Sequence, residues 1–442
     1  MRAAGAFGLP GPPPLGGGPG VAWMVNTLMS NLTGLIDFDA LLHIGLAGPM
    51  RQQLANGVAD PQARPMRLVE IQREHSLLHD GHTAHRARCG AALARDLRDQ
   101  QETLAVGDWV LACPDGAGGA DGSDGAHAAD RWRITCRLLP QRQITRRTDD
   151  GRGGVQRQVL VSNVDTALLV MGLDADFNLR RLERYLALAH LAGVAAVLVL
   201  SKADTLDPAL ADQRLAQARA QLPPGMAALA LDLRQAPAAQ ALAPWLQPGR
   251  TLVLLGSSGA GKSTLANTLV RTLADPLAHP PADRLANPPT SPGGLPPAAG
   301  APAGLPGQRI TGAVRAGDNR GRHTTTVRTL LPLPGGACII DTPGLRALRL
   351  DVADAGDLAS AFGDVARWAP LCRFRDCQHV QEPGCAVRAA VPEPRLRNYH
   401  KLLREAGRDA LSPAERQARI AQWKWRSRNA LIRLQAKRNS SG

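Results

Sequence analysis

At 442 residues the chain is too long for one ordinary core, and roughly two to four domains are expected. A net charge of +14 and a pI near 10.4 point to phosphate-rich polymers or anionic membranes as partners. Aromatics at 3% exclude numerous single-strand stacking platforms, and seven cysteines, an odd count crowded toward Cys372–Cys385, argue against a disulfide framework and for a reducing, cytoplasmic compartment with a metal site.

The start of the chain, Met1 to about Gly34, is low-complexity, and its apolar half is too short and too polar for a membrane span. No membrane association is expected. Leu35 to Asn56 has helical spacing and reads as one or two short helices. Arg67 to Arg147 reads as a small sandwich or barrel with strands at Arg67–Ile71, Thr83–Cys89, Gly107–Ala112 and Arg131–Arg137. Pro114 to Ala129, rich in Gly, Asp and Ala, reads as a long loop. Arg142, Arg146, Arg147 and Arg152 form either a phosphate-contacting edge or a solvated linker.

A βαβ rhythm follows. Gln158 to Val170 is a buried-strand pattern, Asn178 caps a helix through Ala192, and Val194 to Leu200 is a further strand. That strand runs into Ser201-Lys202-Ala203-Asp204. A carboxylate there can accept from both N1–H and the exocyclic amine of guanine, whereas adenine leaves it unpaired. An ordinary exposed turn has the same short pattern. Thr251 to Leu255 is the next buried strand and leads into Gly256-Ser257-Ser258-Gly259-Ala260-Gly261-Lys262-Ser263, then Thr264 and a helix with Leu265, Leu269 and Leu273 on one face. Strand, glycine loop and helix are the context in which G-x-x-x-x-G-K-[ST] cradles phosphates. Lys262 reaches the β/γ-phosphates in such a loop, and Ser263 holds Mg²⁺.

His279 to Gln308, dominated by Pro, Gly, Ala and Leu, reads as a disordered insertion. In Gly321-Arg322-His323-Thr324-Thr325-Thr326, Thr324 or Thr325 can complete a Mg²⁺ shell and His323 can order an attacking water. Asp341-Thr342-Pro343-Gly344 follows the strand Ala337–Ile340; Asp341 suits Mg²⁺ through water and the Gly344 N–H a γ-phosphate. The guanine motif precedes the phosphate loop, the order of a circularly permuted GTPase, and Gly344 to Leu350 then leads directly into the last domain. There, Cys372, Cys377, His379 and Cys385 have the residue types and spacing of a closed, structural Zn²⁺ site. Cys89, Cys113, Cys136 and Cys338 are scattered and read as structural. Arg395 to Arg404 is helical, and the tail from Arg416 to Arg438 is basic without an acid and reads as an RNA-contacting helix.

Together VSNVDTALLV, DFNLRRLERYLALA, SKAD, GSSGAGKST, GRHTTT, DTPG and the Cys-Cys-His-Cys run resemble the RsgA family, also called YjeQ or EngC, over about residues 66 to 430. The resemblance implies a multidomain α/β protein with an N-terminal OB-fold β-barrel, a central circularly permuted P-loop GTPase domain and a C-terminal, mainly helical zinc-binding domain. It implies a monomeric GTP hydrolase that binds GTP/GDP with Mg²⁺ and acts with the small ribosomal subunit and its rRNA in late maturation. The expected division is 1–65, 66–150, 151–350 and 351–442. His323 matches the family's switch histidine, and Leu345 stands where ordinary small GTPases place a water-orienting Gln. Ser201 departs from the usual Asn, so one contact to guanine or to the phosphate loop is expected to be shortened or lost. An ATPase, or an RNA-binding switch without turnover, are the alternatives these residues leave open.

Overall fold

Short β-prone segments separated by turns close on themselves in the first third of the chain. The computed structural model describes residues 36–55, 60–115, 131–149, 155–274, 327–343, 349–352 and 355–409, together with residues 415 and 418. The leader, the 279–308 insertion, most of Pro114 to Ala129, Arg152, His323, Thr324, Thr325, Gly344 and almost all of the basic tail therefore lie outside the described residues.

Two short helices, α1 (Phe38–Leu42) and α2 (Gly48–Ala55), come first. Asp37 caps α1 by accepting from the Ala40 N–H at 2.9 Å. The barrel comprises β1 (Arg64–Ile71), β2 (Ser76–His79), β3 (Ala84–Cys89), β4 (Trp109–Pro114) and β5 (Arg131–Arg137), with helix α3 (Ala91–Asp99) between β3 and β4. Its strand order is β1-β2-β3-β5-β4, and β4 pairs back onto β1, which closes it. Only the β3–β5 pairing is parallel. This is the Greek-key connectivity of an OB barrel. Met66, Leu68, Leu78, Val110, Ala112 and Ile134 fill its interior. β2 was not expected from the sequence, because Ser76-Leu77-Leu78-His79 is too short to display an alternation.

The expected single strand Gln158–Val170 is two strands. Asn163 sits at φ 55°, a left-handed position Asn tolerates, and breaks the run. β7 (Val155–Ser162) ends before it and β8 (Thr166–Gly172) begins after it. β7 belongs to a separate three-stranded sheet, β14-β6-β7, with β6 (Gln143–Asp149) and β14 (Arg349–Leu350). Arg142, Arg146 and Arg147 of the arginine cluster are placed on or beside this sheet and not in a linker: Arg147 Nε donates to Asp351 at 3.2 Å, Arg146 Nε to Gln158 at 2.9 Å, and Arg142 lies 3.6 Å from Asp165.

The remaining strands form a parallel sheet. They are β9 (Ala195–Ser201), β10 (Ala228–Ala230), β11 (Thr251–Leu255) and β13 (Cys338–Asp341), in the order β10-β9-β8-β11-β13. β12 (Thr329–Pro332) runs antiparallel to β13 and joins the sheet to the barrel through the Glu70–Thr329 pair. Helices α4 (Leu179–Leu191), α5 (Pro208–Arg219), α6 (Pro237–Leu242) and α7 (Lys262–Ala274) connect the strands. Both faces are covered, so Leu168, Val170, Leu252, Val253, Leu254 and Leu255 are nearly inaccessible. From β11 the chain turns to β13 on one side, whereas β8, β9 and β10 lie on the other. The carboxyl end of β11 is therefore a topological switch point, where open α/β sheets bind ligands.

Arg67 joins these parts. It is fully buried in β1 and donates to the carbonyls of Ile44 (2.6 Å), Asn163 (3.2 Å) and Gly107 (3.4 Å). Its guanidinium lies over the Trp109 ring.

After β14 the chain is helical: α8 (Ala355–Ala361), α9 (Gly363–Trp368), α10 (Ala386–Ala390) and α11 (Glu393–Asp409). α11 docks on α4. Arg395 bridges Asp364 and Glu183, Asn398 donates to the other Glu183 oxygen, and Arg184 pairs with Glu405 at 2.8 Å. Burial pushes the Glu183 carboxyl upward, and Asn398 and Arg395 oppose that shift.

Candidate nucleotide site and metal centre

The phosphate loop leaves β11 at Gly256, where a Cβ would lie 2.3 Å from the Val170 carbonyl oxygen; only glycine fits so close an approach. Gly261 closes the loop at φ 99°, and a Cβ there would crowd Leu233. Ser258 and Gly259 are exposed at the tip, Ala260 is buried beneath it, and Lys262-Ser263-Thr264 opens α7. Lys262 folds back over the loop, its Nζ donating to the carbonyls of Ser257 (2.7 Å) and Gly256 (3.1 Å). Burial pushes its ammonium down to about 8, with Asp341 and Asp176 opposing the shift.

Asp341, buried at the end of β13, accepts from Ser263 Oγ at 2.9 Å. The two predicted cation-side groups are thus in contact. Thr342 donates to the Leu254 carbonyl at 2.6 Å and ties this segment to the phosphate-loop strand.

Ser201 ends β9 and is buried. Its hydroxyl donates to the Ala260 carbonyl at 2.7 Å. Of the two contacts expected to suffer from serine in place of asparagine, the one to the phosphate loop is made: the backbones approach closely enough for serine to bridge them. Lys202 follows at φ 60° and pairs with Asp174 at 2.7 Å. Asp204 Oδ2 accepts from Arg234 Nη2 at 2.5 Å.

Residues not singled out in the sequence complete the cleft. Asp174 and Asp176 lie between β8 and α4. Asp176 accepts from Ser257 Oγ and the Gly172 N–H and pairs with Arg181, while the Asp174 carboxylate accepts from the Asp176 N–H and from Lys202. One acidic loop therefore touches both the phosphate loop and the guanine-type motif. Its position after a parallel strand, on the same sheet edge as the phosphate loop, is the signal that points to it. Asn178 caps α4 as expected, accepting from the Arg181 N–H at 3.1 Å.

The second centre lies at α10. Cys372, Cys377, His379 and Cys385 present ligand atoms all within 4.8 Å of one another. The Cys372 and Cys385 sulfurs are 3.6 and 3.4 Å from His379 Nδ1 and 3.9 Å from each other. Thiolates about 2.3 Å and an imidazole nitrogen about 2.0 Å from one Zn²⁺ give tetrahedral edges of about 3.8 Å for S···S and ~3.5 Å for S···N. The group can hold a metal ion. Cys385 also caps α10, its sulfur accepting from the Arg388 N–H at 3.4 Å. Of the scattered cysteines, Cys113 and Cys338 are buried while Cys89 and Cys136 are exposed.

Barrel, permuted phosphate-loop sheet and helical module with a Cys₃His cluster together define a multidomain, circularly permuted P-loop protein. A family model described as RsgA GTPase matches residues 138–351. The chain is 40% identical over 349 residues to a small ribosomal subunit biogenesis GTPase RsgA of Xylella fastidiosa (strain M23), covering 77% of this chain and 87% of the relative. It is 39% identical over 402 residues to the RsgA of Xanthomonas axonopodis pv. citri (strain 306), covering 87% and 93%. The crystal structure of YjeQ from Thermotoga maritima covers 78% of this chain and 98% of its own, at 21% identity and a TM-score of 0.49. The chain belongs to the RsgA GTPase family. Among the described residues no helix is long and apolar enough to cross a membrane.

Proposed function

We propose that the chain binds and hydrolyses GTP and acts as an assembly factor on the small ribosomal subunit during its late maturation. The observation that carries the reading is the shared wall of the cleft. Ser201 bonds the phosphate loop, and the Asp174–Asp176 loop touches both Lys202 and Ser257, so one ligand spans from Asp204 to Lys262. Asp204 takes the guanine edge, and the Lys202 stem lies along the base. The backbone N–H groups from Gly256 to Thr264 cradle the phosphates with Lys262.

Ser263 and Asp341 are the residues that would hold Mg²⁺, completed by Thr324 or Thr325; the ion supplies neutralisation of charge developing on the phosphates. Gly344 meets the γ-phosphate, and His323 orders the attacking water in place of the Gln that Leu345 replaces. Zn²⁺ on Cys372, Cys377, His379 and Cys385 is structural. The division proposed is an OB-fold RNA-binding domain over 66–150, the GTPase domain over 151–350 and the zinc domain over 351–442, with the barrel and the basic tail contacting rRNA. A monomer working in the cytoplasm fits this role.

Hydrolysis is measured with and without purified small subunits. Stimulated turnover, lost in Lys262→Ala, is expected. Turnover no higher than that of Lys262→Ala under both conditions would leave only a binding switch and contradict the proposal.

A further inference from the structure

Selectivity through a single acid requires that the acid cannot turn away. A carboxylate free to swing into water on meeting adenine or hypoxanthine would escape the desolvation cost that rejects them. Asp204 lies near the surface, on a one-turn helix after a left-handed Lys202. What restrains it is Arg234. Its Nη2 reaches Asp204 Oδ2 at 2.5 Å, while Nε donates to Asp232 Oδ1 at 3.0 Å and Nη2 also lies 3.3 Å from Asp232 Oδ2.

The clamp is itself held from three sides. The Leu231 N–H donates to the Leu200 carbonyl at 2.8 Å, which ties the segment to the end of β9. Leu233 is buried against Gly261 of the phosphate loop. Arg271, on the helix that the phosphate loop opens, donates to the Arg234 carbonyl at 3.2 Å. The backbone that carries Arg234 is thus held by groups other than Asp204, and the guanidinium, 64% exposed, is held beside Asp204 by Asp232. A carboxylate offers about four lone-pair positions. Guanine needs one on each oxygen, and Arg234 takes another on Oδ2, so base and arginine are compatible rather than rivals.

We infer that Arg234, clamped by Asp232, is a positioning residue for base selection: it fixes the Asp204 carboxylate so that guanine satisfies both oxygens, hypoxanthine only one and adenine neither. The inference rests on the guanine reading above. A planar fork is needed to span two carboxylates, which lysine lacks.

The test is competition against a fluorescent GDP by GDP, IDP and ADP, in the full chain with its metal. IDP lacks only the exocyclic amine. In Arg234→Ala the preference for GDP over IDP falls about three- to fivefold, the scale of an exposed charge contact. Arg234→Lys recovers part of it. Asp232→Asn, which loosens the clamp but leaves Arg234 and Asp204 in place, shifts the ratio the same way by less. A ratio unchanged in both Arg234→Ala and Asp232→Asn would overturn the inference while leaving the guanine reading standing. A ratio that rises in Arg234→Ala would make Arg234 a competitor and overturn it equally. A wild-type protein binding ADP as well as GDP would remove the guanine reading and the inference together.

Discussion

Cys372, Cys377, His379 and Cys385 come from 14 consecutive residues, whereas the proposed nucleotide site gathers Asp176, Ser201, Asp204, Lys262 and Asp341 from four strand ends. The first group is local, and the turns between its ligands are too short to bury a core of their own. The second is spread along the chain but seated on a parallel sheet whose strands are nearly inaccessible. The lesson is that proximity in sequence and robustness of a site run in opposite directions here. On the proposed reading the local site depends on an ion, and the dispersed one depends on its scaffold.

Metal removal breaks this comparison most sharply. Structural zinc is worth about 10 kcal/mol or more of folding free energy in small modules. Chelation, or Cys377→Ser, is expected to abolish amide protection over Cys372–Ala390 while α11, docked on α4, and the parallel sheet keep theirs and GDP still binds. Hydrogen exchange reads both at once; a sheet that loses protection together with the cluster would show that the two are one cooperative unit.

Next in size is Arg67→Met. Withdrawing the guanidinium strands carbonyls of the turn after the first helix, the barrel and the β7–β8 break, an expected loss of about 3 kcal/mol or more. Denaturant unfolding followed at the barrel and sheet is expected to shift to lower concentration. Metal content at the Cys₃His cluster should stay unchanged, since Arg67 does not touch that module.

A smaller effect than metal loss, read as a pH dependence, belongs to Lys262. Its ammonium sits near 8, below its ordinary 10.5, because it is buried. The unfolded chain therefore binds more protons between these values, and the burial cost is fully present below about pH 8 and is relieved as pH rises toward 10.5. Bound phosphates favour the charged form again. Nucleotide binding near pH 8 is therefore expected to take up a fraction of a proton, and affinity to fall above it. Calorimetry in buffers of different ionisation enthalpy measures the uptake, and Lys262→Ala should show none.

The smallest effect expected is that of Ser201→Ala. Losing the hydroxyl leaves the buried Ala260 carbonyl without that donor, about 1 kcal/mol. GDP affinity should weaken several-fold, with preference for GDP over ADP intact because Asp204 is untouched. Loss of the preference would mean that Ser201 contacts the base.

Much of this was legible in the order of residues alone. The phosphate loop, Asp341, the Lys202–Asp204 motif and the candidate metal ligands are each encoded by neighbours in the chain, and so can be proposed without coordinates. A small sandwich or barrel was legible from the strand pattern, whereas its OB connectivity came through resemblance and β2 is too short to alternate clearly. What escaped depends on contacts between distant segments. The split at Asn163 is a single left-handed residue inside an apolar run. The pairing of Arg147 with Asp351 spans about two hundred positions of chain. Asp176 and Arg234 reach their partners only because parallel strands align their carboxyl ends. Ser201 looked deficient because side-chain length is visible in a sequence and backbone separation is not.

The central claim is that Asp204 and Lys262 serve opposite ends of one guanine nucleotide although the chain meets them in reversed order. Asp204→Asn tests it directly through the affinities for GDP and XDP. Xanthine replaces the exocyclic amine by a carbonyl, which an amide N–H can satisfy and a carboxylate cannot. The expected result is a reversal, with the variant preferring XDP where the wild type prefers GDP. A variant whose preference remains that of the wild type would contradict the account.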